Sequence, residues 1–184
     1  MESTAFCGMT KGNFPMLYGI FFVIGGLALA ALDQLLKICA TTYLLPVGQA
    51  PLIPGLIELQ YVLNDGMAFS MLSGRRWLLI GVTSLVLLAV IVVLIARPMP
   101  RLDRITWMLI LGGGLGNLID RVRTGVVVDY LNFQFMEFPV FNFADICVCT
   151  GVGLLILSLL LDMRREHRSG SATSVHENHT DADA

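Results

Sequence analysis

Apolar residues in this chain come in long runs, not in the alternation of a half-buried strand or the one-sided stripe of a surface helix. Four runs are long enough, or nearly so, to cross a hydrocarbon core of about 30 Å at about 1.5 Å per residue. They fall at about 17–39, 77–96, 105–121 and 141–161. The second contains no charged residue, whereas the first is broken late by Asp33 and Lys37. The third is short and holds "LGGGLGN", and the fourth carries Asn142 and Asp145 near its start. The pattern predicts an all-α membrane protein, a bundle of four transmembrane helices. Between the first two runs, "PLIPGLIELQYVLN" combines Pro-Gly punctuation with β-favouring residues, which predicts a short strand or hairpin. The first run begins after Lys11, as a cleaved signal peptide would, but it is longer than a usual signal-peptide core. No polar mature domain follows it, so an uncleaved span is expected.

Composition agrees with the pattern. Of 184 residues, 55% are hydrophobic and 14% charged, against about 25% charged in an average soluble domain. Mean hydropathy is +0.74. A formal net charge of −2 argues against a nucleic-acid partner. Basic residues gather in two short segments, Arg97, Arg101 and Arg104 in "RPMPRLDR" and Arg164, Arg165 and Arg168 in "MRREHR". The positive-inside rule makes both cytoplasmic, and four spans then put the N-terminus inside as well. The expected organisation is a cytoplasmic segment 1–16, a four-span membrane domain 17–163 with an outer segment 41–76, and a polar cytoplasmic tail 164–184. That tail is short of aromatics and expected to be disordered. Its His176 and His179 read as solvated, and Cys7, Cys39, Cys147 and Cys149 as small buried hydrophobes that form no C-x-x-C or Cys/His cluster. No cofactor or metal site is expected.

Depth sorts the intramembrane polar residues. In the first span, Asp33 and Lys37 come about 24 and 30 Å along an outward-running helix. Asn117, Asp120 and Arg121 end the third span, which also runs outward, and Asp129 follows a few residues later. Asn142 and Asp145 lie in the first turns of the inward-running fourth. Three spans thus bring polar groups to one leaflet, the outer one, and such residues normally face the bundle interior and mark function. Asp33 and Lys37 form an i,i+4 pair in the favourable order, although a lysine near a span end also snorkels. Asn117, Asp120 and Arg121 read either as a structural hydrogen-bond network or as substrate contacts. The run Gly112, Gly113, Gly114 and Gly116 reads as a close-packing surface and lacks the Lys-Ser/Thr ending of a phosphate loop.

Asp129 and Asp145, sixteen positions apart, have no obvious local cation. The segment between them reads as an outer turn. Two adjacent carboxylates share one proton and titrate as a pair, and such a pair supports acid–base peptide hydrolysis. Other hydrolytic chemistries lack parts: no histidine lies in a span, no H-E-x-x-H occurs, and Ser70, Ser73, Ser84 and Ser158 have no nearby His or Lys base. A proton- or cation-coupled transporter and a structural assembly subunit use the same carboxylates differently, and the residues alone leave those readings open.

Five blocks occur in order: "DQLLK" at 33–37, "NDGMAF" at 64–69, "GGGLGNLIDR" at 112–121, "GVVVDYLNF" at 125–133 and "FNFADIC" at 141–147. In them the chain resembles the bacterial lipoprotein signal peptidases (signal peptidase II), aspartic proteases of the inner membrane. The resemblance implies that Asp129 and Asp145 are the catalytic pair, and that Asn64, Gly66, Asn117, Arg121 and Asn142 line or support the site. It makes Asp33 and Lys37 a structural pair. The implied partners are membrane lipid and diacylglyceryl-modified prolipoproteins, whose signal peptides are cut before the lipidated cysteine. It also implies a small extracytoplasmic β-cradle and a short mobile outer helix, here within 46–76, with Arg75 and Trp77 near the return to the membrane. Met67 stands where the family commonly has a small residue, phenylalanines replace a tryptophan often found between the aspartates, and the tail matches nothing in the family pattern.

Overall fold

A computed structural model of the protein describes residues 14–66 and 74–180, with side chains at 17–66 and 74–164. The order of elements is α1 (Phe14–Cys39), a π-helical turn (Ala40–Leu44), β1 (Gln49–Ile53), β2 (Ile57–Asn64), α2 (Arg76–Ala96), α3 (Arg101–Arg123), β3 (Val127–Phe133) and α4 (Phe143–Thr180). Three stretches are long and apolar enough to cross a membrane: Leu17–Leu44, Arg76–Ala96 and Phe143–Arg164. Their outward faces carry exposed Phe21, Leu27, Leu85, Leu88, Ile156 and Leu159, the apolar belt that lipid requires.

α3 differs because of where it sits. At 23 residues it is about 35 Å long, yet it is far less apolar than the other three. It packs against α1, α2 and α4, so its neighbours are mostly protein, and it keeps polar side chains that lipid would reject. Phe22, Leu87, Val90, Leu94 and Leu111 form the core where α1, α2 and α3 meet. Close approach needs backbone without side chains between: a Cβ on Gly113 would strike the Ala144 carbonyl of α4, and one on Gly116 the Asp33 carboxylate of α1. The expectation of a close-packing glycine run therefore holds at these positions.

At the end of the bundle away from the sheet, Arg104 is buried. Its guanidinium donates to the carbonyls of Leu94 (3.2 Å), Arg97 (3.4 Å) and Met99 (3.4 Å). It thereby satisfies the orphan Leu94 acceptor in the last turn of α2 together with two carbonyls of the connection that follows, and lies 5.2 Å from the Tyr18 ring centroid. Arg104 acts as a helix cap.

At the opposite end the three strands form one antiparallel sheet in the order β1-β2-β3. The expected hairpin is β1–β2, turned at Gly55 with φ 76°. The third strand corrects the expectation of a simple outer turn between the aspartates. Gly125, at φ 87°, reverses the chain after α3, and Val127, Val128 and Tyr130 supply the β-branched and aromatic residues that favour a strand. Arg76 closes the α3 end below that turn, donating to the carbonyls of Arg121 and Val122, both at 2.8 Å. Ala40, Leu44 and Tyr130 pack beneath the sheet. The sequence expectation of an outer helix falls partly on residues 67–73, outside the described residues.

Two further expectations differ from the structure. Helix α4 continues to Thr180, through most of the tail expected to be disordered. Once a helix is nucleated each added residue gains a hydrogen bond, and the Met, Arg and Glu residues at 163–166 are good helix formers. Among the described cysteines Cys147 is buried as expected, but Cys39 and Cys149 are exposed on the helix surface.

Gly113→Ala is expected to lower thermal stability in detergent by about 1–3 kcal/mol, the usual range for overpacking. Gly153→Ala, where a Cβ meets nothing within 4 Å, is expected to cause no loss. Equal melting temperatures for the two variants would contradict the close-approach account.

Candidate active site

Asp129 is the third residue of β3, directly opposite Val62 of β2, and Asn64 is two residues farther along β2. Residues so related share a sheet face and reach each other diagonally. Asn64 Nδ2 accordingly donates to Asp129 Oδ2 at 3.0 Å. Asp145 is placed by a different device. Asn142 caps α4: its Oδ1 accepts the Asp145 N–H at 3.0 Å, while Asp145 Oδ2 accepts the Asn142 N–H at 3.0 Å. This is a reciprocal capping box, which satisfies two donors that a helix start leaves unpaired.

Asn142 also joins the two carboxylates. Its Nδ2 donates to Asp129 Oδ1 at 2.6 Å, so one buried residue holds Asp145 with its backbone and Asp129 with its side chain. Asn117 of α3 donates from Nδ2 to Asp145 Oδ1 at 2.8 Å. Asp129 and Asn142 are almost fully withdrawn from solvent, at 2% and 0% exposure. Burial is the main reason the Asp129 carboxyl is pushed up from 3.8 to about 6. The Asn64 hydrogen bond opposes that shift, and the nearby Asp145 charge adds to it.

Beneath the pair lies an ionic cluster. Lys37 Nζ sits 2.8 Å from Asp33 Oδ2 and 2.8 Å from Asp120 Oδ2, and donates to Asn117 Oδ1 at 2.8 Å. Asp33 Oδ1 accepts the Ala144 N–H at 3.0 Å, which ties α1 to the first turn of α4. Gln34 Nε2 reaches Asp120 Oδ1 at 2.9 Å and the Gly116 carbonyl at 3.1 Å.

The candidate site residues gather at this end of the bundle, in two tiers. Asn64, Asn117 and Asn142 touch the aspartates. Arg121 and Gly66 form an outer link: Arg121 Nη2 donates to the Gly66 carbonyl at 2.7 Å, and the Gly66 N–H donates to Asn64 Oδ1 at 2.9 Å. Arg121 thus holds Gly66, which holds Asn64, the residue that donates to Asp129. Asp120 is paired with Lys37 and Gln34. Sequence reasoning missed Gln34 and Tyr130. Gln34 adjoins Asp33 in "DQLLK" and lies on the same side of α1 as Lys37, which was the available signal. Tyr130 is buried beneath the sheet, its hydroxyl oxygen accepting the Phe143 N–H at 3.3 Å. Burial chiefly raises its phenol to about 12, which keeps it neutral.

The model of the family described as signal peptidase (SPase) II matches residues 25–161. The chain belongs to the signal peptidase II family. The matched segment takes in every residue of the network above. The chain is 43% identical over 140 residues to the lipoprotein signal peptidase of Desulfitobacterium hafniense, covering 76% of this chain and 92% of that protein. It is 40% identical over 147 residues to that of Symbiobacterium thermophilum, covering 78% and 96%. A solved structure titled as a bacterial membrane enzyme superposes with a TM-score of 0.67 at 30% identity, covering 83% of this chain and 91% of that one. Membership in the signal peptidase II family makes the protein a membrane-bound aspartic protease of lipoprotein processing, and it removes the ground for the transporter reading.

Because the folded-state value of Asp129 lies above 3.8, this carboxyl favours the fold fully below that value, and the contribution is lost as pH rises through about 6. Carbon-13 NMR of labelled aspartate in micelles is expected to show a carboxyl titrating near 6 that disappears in Asp129→Asn. In Asp145→Asn its midpoint is expected to fall, since a like charge has gone. A midpoint near 3.8 in the parent protein, or a rise in Asp145→Asn, would contradict the assignment.

Proposed function

We propose that the chain is an intramembrane aspartic endopeptidase that removes signal peptides from diacylglyceryl-modified prolipoproteins. Asp129 and Asp145 act as the acid–base pair, and the cut falls before the lipidated cysteine. The observation that carries this reading is the Asn142 bridge, which holds one carboxylate on a strand and the other on a helix start within reach of a single residue. The ionised member takes a proton from water as that water attacks the scissile carbonyl, and the protonated member donates to the carbonyl oxygen. Collapse of the tetrahedral intermediate passes a proton to the departing cysteine amine. Asp129, with a proton affinity near 6, is suited to alternate between these roles.

The membrane arrangement follows from the same elements. α3 is a fourth span between the three strongly apolar ones, within a catalytic unit of residues 17–163. Arg97 and Arg101, together with Arg164 on α4, mark the end of the bundle opposite the aspartates. The positive-inside rule makes that end cytoplasmic, with segments 1–16 and 164–184 on the same side. The protein then lies in the bacterial cytoplasmic membrane with its aspartates at the outer leaflet. Asn64, Gly66, Asn117, Arg121 and Asn142 support the site. A lipid-modified substrate suits this depth, because its acyl chains stay in the bilayer while the peptide reaches the sheet end.

The test is cleavage of diacylglyceryl-modified and unmodified prolipoprotein by the purified protein. Release of the signal peptide is expected from the modified substrate alone. Asp129→Asn and Asp145→Asn are each expected to reduce it by about 10²–10⁴-fold, the usual worth of a positioned acid or base, with unfolding still cooperative. Parental rates in either variant would sink the pair assignment, and equal cleavage of both substrates would sink the lipid requirement.

A further inference from the structure

The orientation of the two amides around the aspartates is set by groups that have no choice. A lysine ammonium has three donors and no acceptor. Lys37 directs those donors at Asp33, Asp120 and Asn117, each at 2.8 Å. The Asn117 atom facing Lys37 is therefore its oxygen, and the nitrogen is turned toward Asp145. Asn142 follows the same logic: its oxygen faces the Asp145 N–H, and its nitrogen faces Asp129 and, at 3.1 Å, Asn117 Oδ1. Without Lys37, Asn117 Oδ1 keeps just one donor, Asn142 Nδ2. That nitrogen is also 2.6 Å from Asp129 Oδ1 and 3.4 Å from the Val128 carbonyl. A flip of the Asn117 amide would then place an oxygen against Asp145.

We propose that Lys37 is a positioning residue for the aspartate pair, acting through Asn117: its ammonium fixes the amide so that a donor, never an acceptor, faces Asp145. The proposal rests on the reading of Asp129 and Asp145 as the acid–base pair. It goes beyond the role of Lys37 as a partner for Asp33. Lys37 is 3% exposed and lies one turn before the π-helical segment. The Thr41 hydroxyl returns to the Lys37 carbonyl at 2.9 Å, so the local backbone holds the side chain at a fixed depth. Its third donor, which goes to a neutral amide, adds nothing to charge balance and is explained by orientation.

Lys37→Met alone would leave Asp33 and Asp120 buried without a cation, a change that unfolds many proteins. The test therefore uses Lys37→Met with Asp33→Asn, and separately Asn117→Asp, which keeps the size of the side chain but not its donor. Cooperative unfolding in detergent checks the fold, and kcat and KM are read on the lipid-modified substrate. The double variant is expected to lose about 10–100-fold in kcat, the scale of a small misplacement of a reacting group, with KM little changed. Asn117→Asp is expected to lose at least as much. In the triple variant the two losses are expected not to add, because both act through one hydrogen bond. Parental kcat in the folded double variant would overturn the proposal, as would additive losses in the triple variant. Should the double variant fail to fold, parental kcat in Asn117→Asp overturns the proposal, and a kcat loss there with KM unchanged upholds it. Parental cleavage by Asp145→Asn, in contrast, would overturn the acid–base pair itself.

Discussion

Lys37 lies within 2.8 Å of both Asp33 and Asp120, where almost no water reaches. One cation between two carboxylates is a demanding arrangement in a low-dielectric interior. Removing Lys37 leaves both carboxylates without compensation, a loss of about 3–5 kcal/mol for comparable pairs. The rest of the fold is arranged around keeping these three groups together. Gly116 lets the Asp33 carboxylate lie against the backbone of α3. The Ala144 N–H holds the second oxygen of Asp33, bringing the first turn of α4 to the same point. The close approach of α1, α3 and α4 at this end is therefore both required by the ion cluster and made possible by missing side chains.

The sequence made the spans legible, and with them the depth of the polar groups. Charges in an apolar run stand out, and helical rise converts their positions into heights. That was enough to bring Asp129 and Asp145 to one end of the bundle. Partners were harder to read. Asp120 and Arg121 are neighbours in sequence, but successive residues on a helix point about 100° apart. Asp120 turns to Lys37 and Gln34, while Arg121 turns to the Gly66 carbonyl. Such choices depend on the tertiary approach of α1, which no local pattern encodes. β3 was missed for another reason. A run of valines after an apolar span looks like its fraying end until β2 is present to pair with it.

α3 shows the same limit from the other side. Hydropathy measures fitness for lipid, and a helix that packs against three others does not meet that test. Asp103 pairs with Ser158 at 2.7 Å, Arg104 caps α2, and Asn117 and Asp120 serve the site. The polar residues that weaken α3 as a span by composition are the ones that join it to its neighbours. Low apolarity marks it as the interior helix.

The donors that touch the two aspartates are neutral. Asn64, Asn117 and Asn142 supply amide N–H groups, and the Asn142 backbone supplies another. The cations stand farther back: Lys37 reaches Asp145 through Asn117, and Arg121 reaches Asp129 through Gly66 and then Asn64. Direct ion pairing would favour the charged form of a buried carboxylate strongly. Amide donors offset part of the burial penalty without abolishing it, and Asp129 is left at about 6. At that value a carboxyl gives and takes a proton near neutral pH. Holding the cations at a distance is thus what leaves the buried Asp129 carboxyl both well ordered and still exchangeable with a proton.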